Sequence, residues 1–375
     1  MAIDLTVKHA QDAMLGIKGE AAFGTTIDAG ADTDNEDVTA YRRLPMAEAP
    51  KPTFNVLRES RMLSGRGAMK ESTDTLLVTK GGSVTCPFDF IATPEFLAQH
   101  LAMVGQNDTY GSNIHLVKFG KATATQTIGG GVTDGLPHSV NLAYMPSANS
   151  LADGMRINGC VVSDMSIKGD YANQSGCLTM SGNYYSGFSN ATIGTGSDGV
   201  PHSQLEQNLS GTWTDPDENT FIHMADLGTK KLDVDGATLA DMVIKSFEFN
   251  IVNNVTPFGG DGLGNPEGYT IPSLDVTGNL VIKHDANFEM AGGNNVLESF
   301  LTKDALTLQL YFGADATVDA LGDVNIVANI QISSDPTLEN TDAGVFWNIP
   351  FECLQTGVTN GLEISVFNTT NISAM

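Results

Sequence analysis

Cationic side chains are scarce in this chain: 19 Lys and Arg stand against 44 Asp and Glu, a formal net charge of −25. Proteins hold phosphate backbones largely by cationic neutralisation, so this balance excludes tight nucleic-acid binding. It still allows a nucleic acid that passes without sticking, because a like-charged wall repels it. Charged residues of both signs make up only 17% of the chain, which argues against both a coiled coil and acidic disorder. No run of about 18 apolar residues occurs, so no membrane anchor is expected. The first 15 residues carry charge and lack the apolar core of a secretory leader, and synthesis in a cytoplasm is therefore expected. The four cysteines, Cys86, Cys160, Cys177 and Cys353, are widely spaced with no CxxC pair. They signal neither a zinc site nor a disulfide scaffold, and buried free thiols are expected. The Asn-x-Ser/Thr triplets at Asn173 and Asn190 carry no weight without a secretory route.

What the chain does have is length, glycine and alternation. Its 375 residues suffice for two domains or one large β domain, and 40 glycines tilt it toward turns. From Gly82, Val84, Cys86, Phe88 and Phe90 alternate with Ser83, Thr85 and Asp89. After Val243, Lys245, Phe247, Phe249 and Ile251 alternate with Ser246, Glu248 and Asn250. A third run sets Leu274, Val276, Leu280 and Ile282 against Asp275, Thr277, Asn279 and Lys283. A period of two with one apolar side predicts half-buried strands. Further strands are expected over 155–168, 177–185, 305–312, 324–333 and 362–368.

Helical signals are few. Thr93-Pro94-Glu95 supplies an N-cap, a first-position proline and an acid in the first turn. Phe96, Leu97, His100, Leu101 and Val104 then form one stripe, closed by Gly105, which should lie on a sheet. A second helix is expected from Asn294 or Asn295, with Val296, Leu297, Phe300 and Leu301 on one face. The two segments read as copies: the strands from Gly82 and Gly278 share their phase, each leads into a helix, and each helix leads into a strand ending in an aromatic and Gly. We therefore expect an internal duplication. The expected division is an arm and acidic loop over 1–42, a first β module over 43–190, a linker over 191–235 and a second β module over 236–375.

Catalytic chemistry is hard to find. The acids Asp28, Asp32, Asp34, Glu36 and Asp37 lack the central Gly and distal Glu of a calcium loop and read as a solvated loop. Asp233-Val234-Asp235-Gly236 reads as a turn. The glycines of residues 260–264 have the wrong spacing for a dinucleotide fingerprint. Seven histidines are scattered without metal-ligand spacing, with His100 and His284 read as packing or surface residues. No nucleophile-elbow or Cys-His signature occurs, so no catalytic residue, metal or cofactor is assigned. The local charge inversion is Arg42, Arg43, Lys51, Arg58, Arg61, Arg66 and Lys70. Without aromatics or a recognition helix it reads as a basic loop that contacts the acidic surface of neighbouring copies.

The opening Gly16-Ile17-Lys18-Gly19-Glu20, followed by Ala22-Phe23-Gly24-Thr25, resembles the start of tail tube proteins of long-tailed bacteriophages. The order that follows is similar too: a loop with Arg58, Ser60, Arg61 and Gly65, a Gly82-Ser83-Val84-Thr85 strand, the helix after Thr93, Pro137-His138 before a strand, then Val161-Val162-Ser163-Asp164-Met165-Ser166-Ile167. The resemblance is clearest over 12–190 and weaker over 240–370. Gly19 before Glu20, and Phe23 at the usual Tyr position, depart from the pattern.

This resemblance implies a mainly β structural virion protein without an active site, built of β-sandwich or barrel modules with one short helix each. Such subunits form rings whose inner hairpins merge into a barrel, and the rings stack into a tube through which viral DNA passes. Partners would be further copies of the chain and other tail proteins such as the tape measure, tail terminator and baseplate or tip. Localisation would be the virion tail, after synthesis in the host cytoplasm. Three chains per ring with pseudo-sixfold symmetry follow from two modules per chain, with six chains as the alternative. The residues expected to line the lumen are Asp164 and Ser166, then Ser246, Glu248 and Asn250, then Asp275, Thr277 and Asn279, because their neighbours are apolar and must face the core. Arg58, Arg61, Arg66 and Lys70 are the candidate contacts between subunits or rings. A capsid or head-decoration protein shares the acidic β-rich composition, whereas a carbohydrate-binding or adhesin-like sandwich is disfavoured by only two tryptophans, Trp213 and Trp347.

Overall fold

The computed structural model describes residues 13–19, 41–46, 51–60, 75–104, 107–120, 127–128, 132–133, 139–145, 154–187, 203–207, 221–234, 237–240, 242–258, 266, 268–270, 272–284, 302, 305–314, 317–341, 344–355 and 361–368. The expected second helix, the acidic loop, Gly105 and the positions Arg61, Arg66 and Lys70 lie outside them, as does the side chain of Arg58.

The strand-forming periodicity is realised as antiparallel ladders. The strands β1 (Met14–Gly19), β2 (Arg42–Arg43), β3 (Thr53–Ser60) and β4 (Thr75–Ile91) precede helix α1 (Pro94–Val104). After it come β5 (Asn107–Gly111), β6 (Ile114–Phe119), β7 (Thr127–Ile128), β8 (Val132–Thr133), β9 (Val140–Met145), β10 (Gly154–Asp170), β11 (Thr179–Ser186) and β12 (Ser203–Gln207). Then follow β13 (Leu227–Val234), β14 (Ala237–Ala240), β15 (Ile244–Asn253), β16 (Thr256–Phe258), β17 (Gly268–Thr270) and β18 (Leu274–Lys283). The last five are β19 (Leu306–Phe312), β20 (Val324–Ile332), β21 (Thr337–Thr341), β22 (Gly344–Cys353) and β23 (Leu362–Phe367). The chain is mainly β, as expected.

Two arms of ladder share one core. The first runs β3-β4-β11-β10-β15-β18-β22-β21. The second runs β5-β6-β23-β20-β19-β13-β14 and joins the first where the end of β20 pairs with β22. A side branch, β2-β1-β9, attaches to the N-terminal half of β10. Among the described residues β3, β5, β14 and β21 each have a single strand neighbour.

The inward faces are those the alternation marks: Val84, Cys86, Phe88 and Phe90 on β4, Phe247, Phe249 and Ile251 on β15, and Leu280 and Ile282 on β18 are buried. Phe247 on the first arm meets Phe312 on the second with ring centroids 6.0 Å apart, which ties the two ladders across the core. Lys245 is a correction. The register shifts between Ile244 and Ser246, so Ile244 takes the inward place and Lys245 stays half-buried with its ammonium 5.2 Å from the Phe346 ring centroid.

Helix α1 starts where its cap predicts, with the Thr93 hydroxyl accepting from the Phe96 amide at 3.4 Å. One apolar stripe was expected, yet the helix is buried nearly all round, Gln99 and His100 included. It is enclosed by β10 from one arm and by β6 and β23 from the other, so it has no solvent face for polar residues to occupy. The four cysteines are free, as expected, with Cys86 and Cys160 buried and Cys177 and Cys353 half-buried.

Candidate assembly surface

Eight polar residues picked out by alternation alone come together on three adjacent strands of the first arm. On β10 and β15, Ser166 lies opposite Asn250 and Asp164 opposite Val252. On β15 and β18, Asn250 lies opposite Thr277, Glu248 opposite Asn279 and Val252 opposite Asp275. Ser246 closes the same face beside Asp170. All eight are half-buried or exposed, while the intervening Met165, Ile167, Phe247, Phe249, Ile251 and Leu280 are buried. A sheet built with that alternation has one face toward the core and one toward water.

Side chains on this face hold one another. Ser166 Oγ donates to Glu248 Oε1 at 3.1 Å. Asn183 on β11 donates through Nδ2 to both carboxylate oxygens of Asp164, at 2.9 and 3.2 Å. Asn254 Nδ2 donates to Asp275 Oδ2 at 3.2 Å. Cross-strand bonds of this kind fix rotamers that water would otherwise leave free.

The face extends further than the eight residues. A single cross-strand row reads Asp89, Ser181, Ser166, Asn250, Thr277 and Glu352, one residue from each of β4, β11, β10, β15, β18 and β22. Asp89, Asn183, Ser181 and Glu352 were not singled out from sequence as members of this surface. Alternation marked Asp89 as pointing away from the core, but nothing local says that β11 lies between β4 and β10. Lys168, opposite Glu248, is a cation within the acidic row pattern.

Of the four basic candidates, only Arg58 falls on a described strand, in the part of β3 that pairs with the start of β4. β3 ends and β4 begins at the end of the sheet where β10 enters the first arm and β18 begins, beyond the pairing of β4 with β11.

A cavity of about 270 Å³ opens at that same end, lined by Phe119, Leu274, Val276, Cys353 and Leu362 among others. Burial pushes the Cys353 thiol up to about 12, so at neutral pH it is a thiol and not a nucleophilic thiolate. Among the described residues no group of His, Cys, Asp and Glu could hold a metal ion, and no helix is long and apolar enough to cross a membrane.

The buried polar centre of the molecule is structural. His100 on α1 donates from Nδ1 to the Phe96 carbonyl at 2.6 Å, which leaves Nε2 to accept from the Tyr184 hydroxyl on β11. Burial holds the imidazole down at about 4, neutral at physiological pH, and raises the phenol well above its usual range.

Comparison with known proteins adds the family. A family model described as phage tail tube protein matches residues 10–353, nearly the whole chain. No curated protein matches the chain. The chain belongs to the phage tail tube protein family and is a structural component of the virion tail.

Proposed function

We propose that three copies of this chain form each ring of the tail tube, and that the first arm of the ladder supplies the wall of the channel. The observation that carries this reading is the pairing of β10 with β15, which makes one continuous sheet of eight strands with a single polar face. That pairing falls between the two proposed modules, 43–190 and 236–375, with 1–42 as an arm and 191–235 as the connection. The sheet order supports the duplication. Hairpin β3-β4 followed outward by β11 and β10 has the same arrangement as hairpin β15-β18 followed by β22 and β21.

Barrel geometry favours three copies where each supplies all eight strands of the sheet to the wall. Three copies supply 24 strands, which at about 4.8 Å per strand and a tilt of about 40° close at about 48 Å across the backbone. Six copies each supplying all eight strands would close at about 96 Å, whereas six copies each supplying one four-stranded module would close at the same width as three.

The lumen is lined by Asp164, Ser166, Ser246, Glu248, Asn250, Asp275, Thr277 and Asn279, together with Asp89 and Glu352. Their excess of carboxylates keeps viral DNA mobile during ejection. The loop carrying Arg58, Arg61, Arg66 and Lys70 contacts the acidic surface of adjacent copies, and the tube ends meet the tape measure, tail terminator and baseplate proteins. Mass measurement of isolated rings, with negative-stain images of the concentrated protein, tests the reading. Rings of three copies that stack into tubes support it; six copies, closed shells or a persistent monomer refute it.

A further inference from the structure

The open edges of the eight-stranded sheet identify the seam between neighbouring copies. All five residues of β21 are exposed, including the apolar Leu338 at 48%. At the opposite end of the sheet, β3 pairs with β4 alone among the described strands, and its Thr53 and Asn55 are exposed. Two edges on one sheet that lack a partner among the described strands are templates for strand addition, and a protein that leaves such edges bare aggregates. Two neighbouring copies of the same chain cover them, one at each edge, because the two edges run antiparallel to each other along the sheet.

The chain already contains the joint it needs. β15, the outer strand of the hairpin with β18, lies antiparallel against β10, the outer strand beyond β11. β3 is likewise the outer strand of the hairpin with β4, and β21 lies outside β22. Aligning Gly82 with Gly278 places Val56 on Phe249, since Val56 pairs with Gly82 and Phe249 with Gly278. The same alignment places Thr341 on Ser166 and Glu339 on Asp164, through the pairings of β11 with β4 and of β22 with β18. Within the chain, Ser166 lies opposite Asn250.

We infer that β21 of one copy pairs antiparallel with β3 of the next in the register of the internal joint, position 341 facing position 57. This inference rests on the ring reading above and names the strands that close it. The seam buries β21, extends the polar row from one copy to the next and leaves the eight-stranded sheet without a free edge in the ring. It is heterologous, and repeated at a fixed rotation it closes a ring.

The test is a disulfide trap in assembled tubes. The double variant Leu57→Cys/Thr341→Cys, oxidised with copper phenanthroline, should run as covalent dimers and closed multimers on a non-reducing gel and revert with reductant. Each single variant, and the pair Asn55→Cys/Thr337→Cys, which sits about six residues or about 20 Å out of register, should not. Tubes that form without the 57–341 bond, or that trap 55–337 instead, overturn the seam and leave the ring reading standing. Absence of rings under every condition overturns the ring reading and the seam with it. Hydrogen exchange on the unmodified chain gives the second readout. Amides 337–341 should exchange at least tenfold more slowly in tubes than in the monomer, and unchanged exchange overturns the seam.

Discussion

His100 shows how one buried side chain ties helix to sheet and makes stability depend on pH. Its folded-state value of about 4 lies below its ordinary 6.5, so between those limits the unfolded chain binds the proton that the folded chain refuses. Stability conferred by the neutral imidazole is therefore full above pH 6.5, falls as pH drops toward 4 and levels off below. The shift corresponds to about 3 kcal/mol. Urea titrations at pH 7 and pH 4 should show the native chain losing about 3 kcal/mol more than His100→Gln does; parallel losses would remove His100 as the cause. Gly278 makes the complementary case for space. A Cβ there would stand 2.3 Å from Phe351 Cζ and 2.4 Å from the Glu248 carbonyl oxygen, because the Phe351 ring lies across the strand where a side chain would be. Gly278→Ala should cost about 1–3 kcal/mol, read as a lower melting temperature with an unchanged circular dichroism spectrum.

At the scale of elements, β10 is the strand on which the molecule turns. Its first half pairs with β9 and its second half with β11 and β15, so one strand of 17 residues serves two parts of the ladder. The change of direction is made at Gly159, whose φ of 61° lies in the left-handed region. The Tyr269 hydroxyl pins the bend by donating to the Gly159 carbonyl at 2.8 Å. An L side chain pays about 1–2 kcal/mol for that conformation. Gly159→Ala should therefore lower stability by about that amount, and it should also speed exchange of the amides joining β10 to β9; a melting curve equal to the native one would show that the bend tolerates a Cβ. Helix α1 illustrates the same point from the other side. Its start was legible from Thr93 and Pro94, but its full burial was not, because a stripe in sequence says which face is apolar and not how many layers surround it.

For the whole molecule, the first arm's polar face is the functional unit under the proposed reading. Glu248 and Asp275 sit on neighbouring strands, facing away from the buried Phe249 and Val276. Glu248→Lys/Asp275→Lys should keep the native circular dichroism spectrum at a cost of about 1–2 kcal/mol, since Glu248 gives up the Ser166 hydroxyl and a Lys there faces Lys168 across the ladder. Each added cation gains phosphate contacts, so phage carrying the double variant should eject DNA more slowly, with the delay shrinking as salt rises. Ejection at the native rate at low salt would take these two residues out of the channel wall.

Sequence by itself determined what depends on local pattern and total charge. Alternation assigned Val84 to Phe90 inward and Glu248 and Asn250 outward, because a period of two leaves a strand only two faces. The charge of −25 argued against tight binding to DNA. The bulge that displaces Lys245 was invisible, since a one-residue register shift leaves no mark on composition. Which strands are neighbours was decided only by tertiary structure. Ser166 and Asn250 are 84 residues apart in the chain yet directly opposite, and Asp89, Ser181 and Glu352 join their row through pairings that no local signal encodes. Strand order follows from how the buried faces of all the ladders fill one core together, and that requires the whole chain.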